Sequence, residues 1–310
     1  MYKLVKKIAF FFIIGIVLFS SFLSIYIYWV GSYKNLPAPD ISESFGYNDK
    51  MNFSRNKKAE IICIGSSISL NNINSESVVE KFHTNSYLNL SSWGLNMIDV
   101  FKLLKTYSSI HKPAVCIISS NIVDFEASKS IKMDYDELKE FLQTPTSPLC
   151  LGKYYIKHFN LKITMDNIFH SKNLRSTNKV FNSILYDAHG AVPFSNDGFE
   201  KNQKRWNNLN LGSPKIEQYQ YLDSISNYCH QNKIRLLFFQ SPIREGVYRN
   251  MNKDTIISHI TMVGEILKKK NHIFVNSLNT TWSDKFFVDY DHLNSLGAKV
   301  YTDYCLETIE

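Results

Sequence analysis

Ala59-Glu60-Ile61-Ile62-Cys63-Ile64-Gly65-Ser66-Ser67-Ile68-Ser69 is an apolar run that stops abruptly at a glycine and a cluster of hydroxyls. Apart from Glu60 the run does not alternate with polar residues, so it reads as a strand buried on both faces. Tyr87–Leu90, Ala114–Ser119, Ile234–Phe239 and His272–Val275 have the same character. Between these runs, Ile98–Ile110, Ile216–Asn232 and Thr255–Lys270 space their apolar residues as amphipathic helices, and Leu296–Ile309 reads as a closing helix. Strands separated by helices predict a parallel, doubly wound α/β sheet.

One stretch breaks that rhythm. From about 125 to 214 there is helical pattern at Tyr135–Leu142 and Tyr154–Ile168 but no core strand, and Gly190, Pro193, Asn196 and Gly198 suggest a loop. It is expected to be an insertion between the third and fourth strands, of the kind that shapes a site on a rigid scaffold. Residues 35–58, with Pro37, Pro39 and mixed charge, are expected to be a juxtamembrane linker, leaving 59–310 as the catalytic domain.

The first 34 residues have a different solvent in view. No charge occurs between Ile8 and Val30, a length that as a helix rises about 35 Å and spans a bilayer core of about 30 Å. Lys3, Lys6 and Lys7 precede it, and Tyr26, Tyr28, Trp29 and Tyr33 crowd its far end. These features predict a single-pass signal anchor in a bacterial cytoplasmic membrane, N-terminus cytoplasmic and the rest extracytoplasmic. A cleaved signal peptide is the competing reading, but no small-x-small pair between Ile8 and Lys34 offers an ordinary cleavage site.

The 310 residues are 44% hydrophobic and 20% charged, a composition that excludes a disordered chain. The net charge of +7 is not gathered into a basic run, which favours an anionic surface such as lipid headgroups over nucleic acid. Five cysteines form no CxxC pair, so no zinc site is indicated. Cys63 and Cys116 sit in apolar runs, leaving Cys150 and Cys229 as the candidates for a bridge. No metal or organic cofactor is implied.

In an open parallel sheet, ligands bind beyond the carboxyl ends of the strands. Gly65-Ser66-Ser67 follows the first strand, Ser91-Ser92-Trp93-Gly94 the second and Ser119-Ser120-Asn121 the third. Val288-Asp289-Tyr290-Asp291-His292-Leu293-Asn294 stands just before the last helix. A serine becomes a nucleophile when a base takes its proton, and the base needs a carboxylate to hold its tautomer. Asp289 and His292 are three apart, so one helical turn would put both on one face. Ser67 supplies the hydroxyl. Its own N–H, a close backbone approach at Gly94 and the side-chain amide of Asn121 would form an oxyanion hole. Ser66 or Ser69 is expected to cap the helix after Ser67. Asp291 is open to two readings, as N-cap of the last helix or as a rival to Asp289. Arg244, at the fourth strand's end, and Trp93 face the same rim and are candidates for binding an anionic group and a sugar face.

Taken in order, these blocks resemble the SGNH (GDSL-like) hydrolase superfamily, over roughly Ala59–Glu310 apart from the insertion. The resemblance implies a flavodoxin-like three-layer sandwich with a parallel five-stranded sheet, preceded here by one transmembrane helix. It implies Ser67 as nucleophile, Gly94 and Asn121 as oxyanion donors, and Asp289 with His292 as the acid–base pair. Asp289-Tyr-Asp-His-Leu-Asn-Ser-Leu-Gly-Ala is similar to exported members that modify cell-surface polymers, namely alginate acetylation proteins and the D-alanyl transfer protein of teichoic-acid modification. That implies acyl transfer, with acetyl as the expected group, on a cell-surface glycan beside a polytopic membrane O-acyltransferase. Ser66 replaces the family's aspartate, Ser119 the third block's glycine and Ile122 the aspartate that often follows the asparagine. These departures keep a second reading open, a catalytically silent glycan-binding or scaffolding subunit.

Overall fold

A computed structural model describes residues 2–29, 36, 45–55, 57–126, 134–161, 186–194 and 212–309. Five short strands, β1 (Ile61–Cys63), β2 (Tyr87–Asn89), β3 (Val115–Ser120), β4 (Arg235–Gln240) and β5 (Ile273–Asn276), form one sheet. All pairings are parallel and the order is β2-β1-β3-β4-β5, the flavodoxin-like arrangement expected. Its unbroken apolar runs have a plain cause. Successive strand residues point to opposite faces. Ile62, Ile118, Leu236 and Phe238 enter one core, while Ile61, Ile117, Leu237 and Phe239 enter the other.

At the N-terminus, α1 (Tyr2–Trp29) carries a stretch, Tyr2–Ile25, long and apolar enough to cross a membrane. A signal sequence meets the same description. Phe11, Phe12 and Phe19 are each more than 60% exposed, a state that water disfavours and lipid does not. The aromatic far end expected from Tyr26, Tyr28, Trp29 and Tyr33 lies outside the described side chains.

The expected linker at 35–58 is instead part of the fold where it is described. Its α2 (Phe45–Ser54) places Met51 in the main core beside Leu36. Asn52 pairs with both backbone groups of Leu36, accepting from its N–H (2.7 Å) and donating to its carbonyl (2.8 Å). Lys50, without exposed surface, donates to the Ser91 carbonyl, and Arg55 donates to that of Thr144. A spacer would leave these groups in water. The globular unit therefore starts well before Ala59.

α3 (Ser67–Asn72), α4 (Ser75–Phe82) and the closing α11 (Ser295–Thr308) cover one sheet face. α5 (Met97–His111), α8 (Ile216–Gln231) and α10 (Lys253–Lys268) cover the other. Within the insertion, α6 (Tyr135–Gln143) and α7 (Pro148–Lys157) add Leu138, Phe141 and Leu151 to that second core. α7 starts ahead of the helical pattern seen at Tyr154–Ile168, and 162–168 lie outside the described residues, as do Asn196 and Gly198. α9 (Glu245–Asn250) follows β4. All five cysteines are free, so Cys150 and Cys229, the candidates for a bridge, do not pair. Cys229 is buried on α8, where its thiol meets that of Cys116.

Candidate active site

The serine side is built from regular structure. Ser66 caps α3, its hydroxyl accepting from the Ile68 N–H (3.1 Å), which puts Ser67 at the first helical position. Ser69 takes no part in capping. Its hydroxyl donates to the Ser119 carbonyl (2.7 Å) and accepts from the Ser119 N–H (2.8 Å), pinning α3 to β3. Gly65 is required by proximity: a Cβ there would lie 2.2 Å from Ser69 Oγ. The Gly65 carbonyl also accepts from the Ser92 N–H, tying the turn after β1 to the one after β2.

The histidine side is irregular. Asp289 and His292 do not share a helical turn; they lie in a loop closed by an antiparallel bridge between Phe287 and Leu293 and by a bond from the Val288 N–H to the His292 carbonyl. Asp289 itself folds the loop, its Oδ1 accepting from the backbone N–H of Asp291 (3.0 Å) and of His292 (2.8 Å). That turn brings base and carboxylate together at the spacing expected of a helix, by another route. Asn294, not Asp291, caps α11, accepting from the Gly297 N–H. Asn72, at the far end of α3 and without exposed surface, holds the loop in place. Its amide donates to the Asp291 carbonyl (2.9 Å) and to Ser241 Oγ, and accepts from the Leu293 N–H (2.9 Å).

The two sides converge across 225 positions of sequence. His292 Nε2 lies 2.8 Å from Ser67 Oγ, and His292 Nδ1 lies 2.9 Å from Asp289 Oδ2. Burial acts to lower the imidazole pKa, but the carboxylates of Asp291 and Asp289 outweigh it and hold His292 well above the usual histidine range. Burial likewise acts to raise Asp289, and its hydrogen bond to His292 overcomes this and holds it low. In the neutral ring, Nδ1–H donates to Asp289 and leaves Nε2 free to accept the Ser67 proton. Ser67 is only partly buried, so a substrate can reach it.

The other candidates fare differently. Gly94 sits on an exposed turn with φ of +74°, a conformation open to glycine. Asn121 stands after β3 as expected but has no exposed surface, and its amide nitrogen donates to Asp291 Oδ2 (2.8 Å). Arg244 is also committed inward. Its guanidinium pairs with the half-exposed Asp284 (2.8 Å) and its backbone N–H donates to the Tyr290 carbonyl, which ties it to the histidine loop. Trp93 packs against the main core and is half-buried at the rim. Asp289, Asp291 and His292 bring three ligand-type atoms within 4.8 Å, but Asp289 Oδ1, Asp291 Oδ2 and His292 Nδ1 are already bonded within the loop or to Asn121.

Three contributors carried no sequence signal. Asn72 is one of two adjacent asparagines in a short helix. Asp124 lies in the turn after β3, where burial pushes its carboxyl up to about 6 although Ser120 Oγ donates to it (2.7 Å). Phe194, in the insertion, sets its ring edge-to-face with His292 at 5.9 Å, and its carbonyl accepts from the Ser295 N–H. The insertion thus returns to the site.

No family profile matches the sequence, and no curated protein is detectably similar to it. Among solved structures the chain is similar to a GDSL-like lipase from Bacteroides thetaiotaomicron (13% identity, TM-score 0.38, covering 81% of this chain and 88% of that one). It is similar also to the esterase EstA of a Pseudoalteromonas species in a form inhibited by monoethylphosphonate (10% identity, TM-score 0.38, covering 81% of this chain and 96% of that one).

Proposed function

We propose that this chain is a serine esterase or O-acyltransferase of the SGNH type, tethered to a membrane by α1, that moves acyl groups through an acyl-Ser67 intermediate. The observation that carries the proposal is the continuous hydrogen-bonded line Ser67 Oγ–His292 Nε2 (2.8 Å) and His292 Nδ1–Asp289 Oδ2 (2.9 Å). In the first step Ser67 Oγ bonds to the ester carbonyl carbon as its proton passes to Nε2. The tetrahedral oxyanion is met by the Ser67 and Gly94 N–H groups. The ester C–O bond then breaks, and His292 returns the proton to the departing alcohol. Water or a second hydroxyl, deprotonated by His292 in turn, attacks the acyl-enzyme and releases Ser67.

Acetyl esters of a cell-surface glycan are the proposed substrates, with a polytopic membrane O-acyltransferase as partner and acyl source. The resemblance of Asp289–Ala298 to surface-polymer enzymes supports this, as does the apolar α1, which would keep the domain at the bilayer face. A fluorophosphonate probe tests the core of the proposal on the full chain in detergent. Ser67 should be modified, and Ser67→Ala should abolish the modification. No labelling of the folded protein would leave a glycan-binding or scaffolding subunit. If labelling occurs, partition of an acetyl group between water and added sugar separates esterase from transferase.

A further inference from the structure

We propose that Asp291 is a second carboxylate partner of His292, and that Asn121 sets it in place. The inference rests on Ser67, His292 and Asp289 working as a triad, and it adds a fourth and fifth member.

Asp291 Oδ1 lies 3.1 Å from His292 Nδ1, on the same ring nitrogen that Asp289 occupies. Its alignment is poorer, since this contact does not meet hydrogen-bond geometry and the oxygen has no other bond. The Nδ1–H therefore points at Asp289, and Asp291 acts by charge at short range. Nothing lets Asp291 swing away. It is 3% exposed, its N–H donates to Asp289 Oδ1, its carbonyl accepts from Asn72, and its Oδ2 accepts from Asn121.

The orientation of Asn121 follows from its neighbours. Its Oδ1 accepts from the Val123 N–H (2.9 Å), capping the short turn Ile122–Phe125, and its Nδ2 faces the Asp291 carboxylate. A flipped amide would set oxygen against carboxylate and nitrogen against N–H, so only one assignment is consistent. Among the described residues, the charged and titratable groups around His292 are Asp289 and Asp291 from its own loop and the Ser67 hydroxyl from α3. The Phe194 ring packs edge-to-face on His292, and the charge of Asp291 reaches the buried carboxyl of Asp124, after β3.

Two carboxylates around one imidazole favour its protonated form more than one does. They strengthen the base, because the charge that develops on His292 as Ser67 loses its proton is doubly opposed. They also keep the resting ring protonated to higher pH, so the base becomes available later on an alkaline titration. No proton moves to either carboxylate; Nδ1 keeps its own.

The test uses the full chain in detergent with carbon-13-labelled histidine. The His292 ring is titrated in the wild type, D291N, N121A and, as a second pair against folding failure, Asp291→Ser and Asn121→Ser. The rate of fluorophosphonate labelling at Ser67 is followed over the same pH range. Both D291N and N121A should move the His292 midpoint to lower pH, and the double variant should move it no further than D291N. Relative to its own alkaline plateau, labelling at pH 6 should be on the order of tenfold faster in D291N than in the wild type. An unmoved His292 midpoint in D291N overturns the inference. So does an N121A variant with an unmoved midpoint whose plateau rate falls about 10²–10³-fold, the signature of a lost oxyanion donor. A wild type whose Ser67 is never labelled, with the His292 midpoints shifting as stated, instead defeats the triad reading and leaves the carboxylate pairing standing.

Discussion

The serine and the histidine of this site are held by different forces. Ser67 is placed by a strand buried on both faces, a glycine that admits close approach, and a capped helix pinned to β3. Apolar burial of about 1.5–3 kcal/mol per large side chain stands behind that geometry. His292 sits in a loop without helix or strand, placed by side-chain bonds from Asp289, Asn72 and Asn121. Each such bond contributes only about 0.5–1.5 kcal/mol net. The nucleophile is therefore hard to displace and the base easy to displace, and substitutions on the two sides should fail in different ways.

Asp289 offers the sharpest contrast. It orients the imidazole and also folds the loop through two backbone N–H groups. Asp289→Asn should cut kcat by about 10³–10⁴-fold on an acetyl ester, with a lower melting temperature as the loop loosens. A loss below tenfold would mean that Asp291 is the principal orienter of His292.

Asn72 separates stability from activity. Asn72→Ala removes a fully buried amide and strands the Leu293 N–H, at a cost of about 1–3 kcal/mol. Activity should fall about ten- to a hundredfold, through kcat more than KM, because small misplacements of a catalytic group are expensive. Ile62→Val, in the strand ahead of Ser67, should cost about 0.5–1.5 kcal/mol and leave kcat within twofold. Denaturant melts and steady-state kinetics on both variants check the pair. Equal losses of activity would erase the distinction between the two sides.

The same division governs what could be read before the fold was known. The five strands and the helices of the α/β frame were legible because burial on both faces and 3.6-residue spacing leave a periodic trace. Ser67 was legible as a hydroxyl at a strand end, and Asp289 with His292 as a pair ahead of the closing helix. The local form of the histidine loop was not, since a carboxylate bonding its own backbone has no period. Asn121 illustrates the gap: its position after β3 was foreseen, but which way its amide turns depends on Asp291, 170 positions away. The stretch from α2 to Arg55 was misread as linker because its buried residues include Lys50, Asn52 and Arg55, whose character points to solvent unless their partners are known.

Lys50 adds an ionisable tie to the serine side. Its ammonium group has no exposed surface and donates to the Ser91 carbonyl, and burial lowers its pKa from 10.5 to about 7. Between those two values the unfolded chain holds a proton that the folded chain lacks, so this group's contribution to stability rises with pH across that window. Below pH 7 both states hold the proton and the burial penalty is felt in full. Lys50→Met removes the titration, so the stability of the variant relative to the wild type should decline from pH 7 to pH 9, by up to about 1.4 kcal/mol per pH unit. Comparing variant with wild type cancels His292, whose raised pKa acts in the opposite sense, and stopping at pH 9 stays below the titration of Cys63, which burial pushes up to about 11. Urea melts at pH 7, 8 and 9 measure the gap. A gap that does not change with pH would show that Lys50 keeps its proton in the fold, and the serine side would then be anchored by a buried charge as well as by packing.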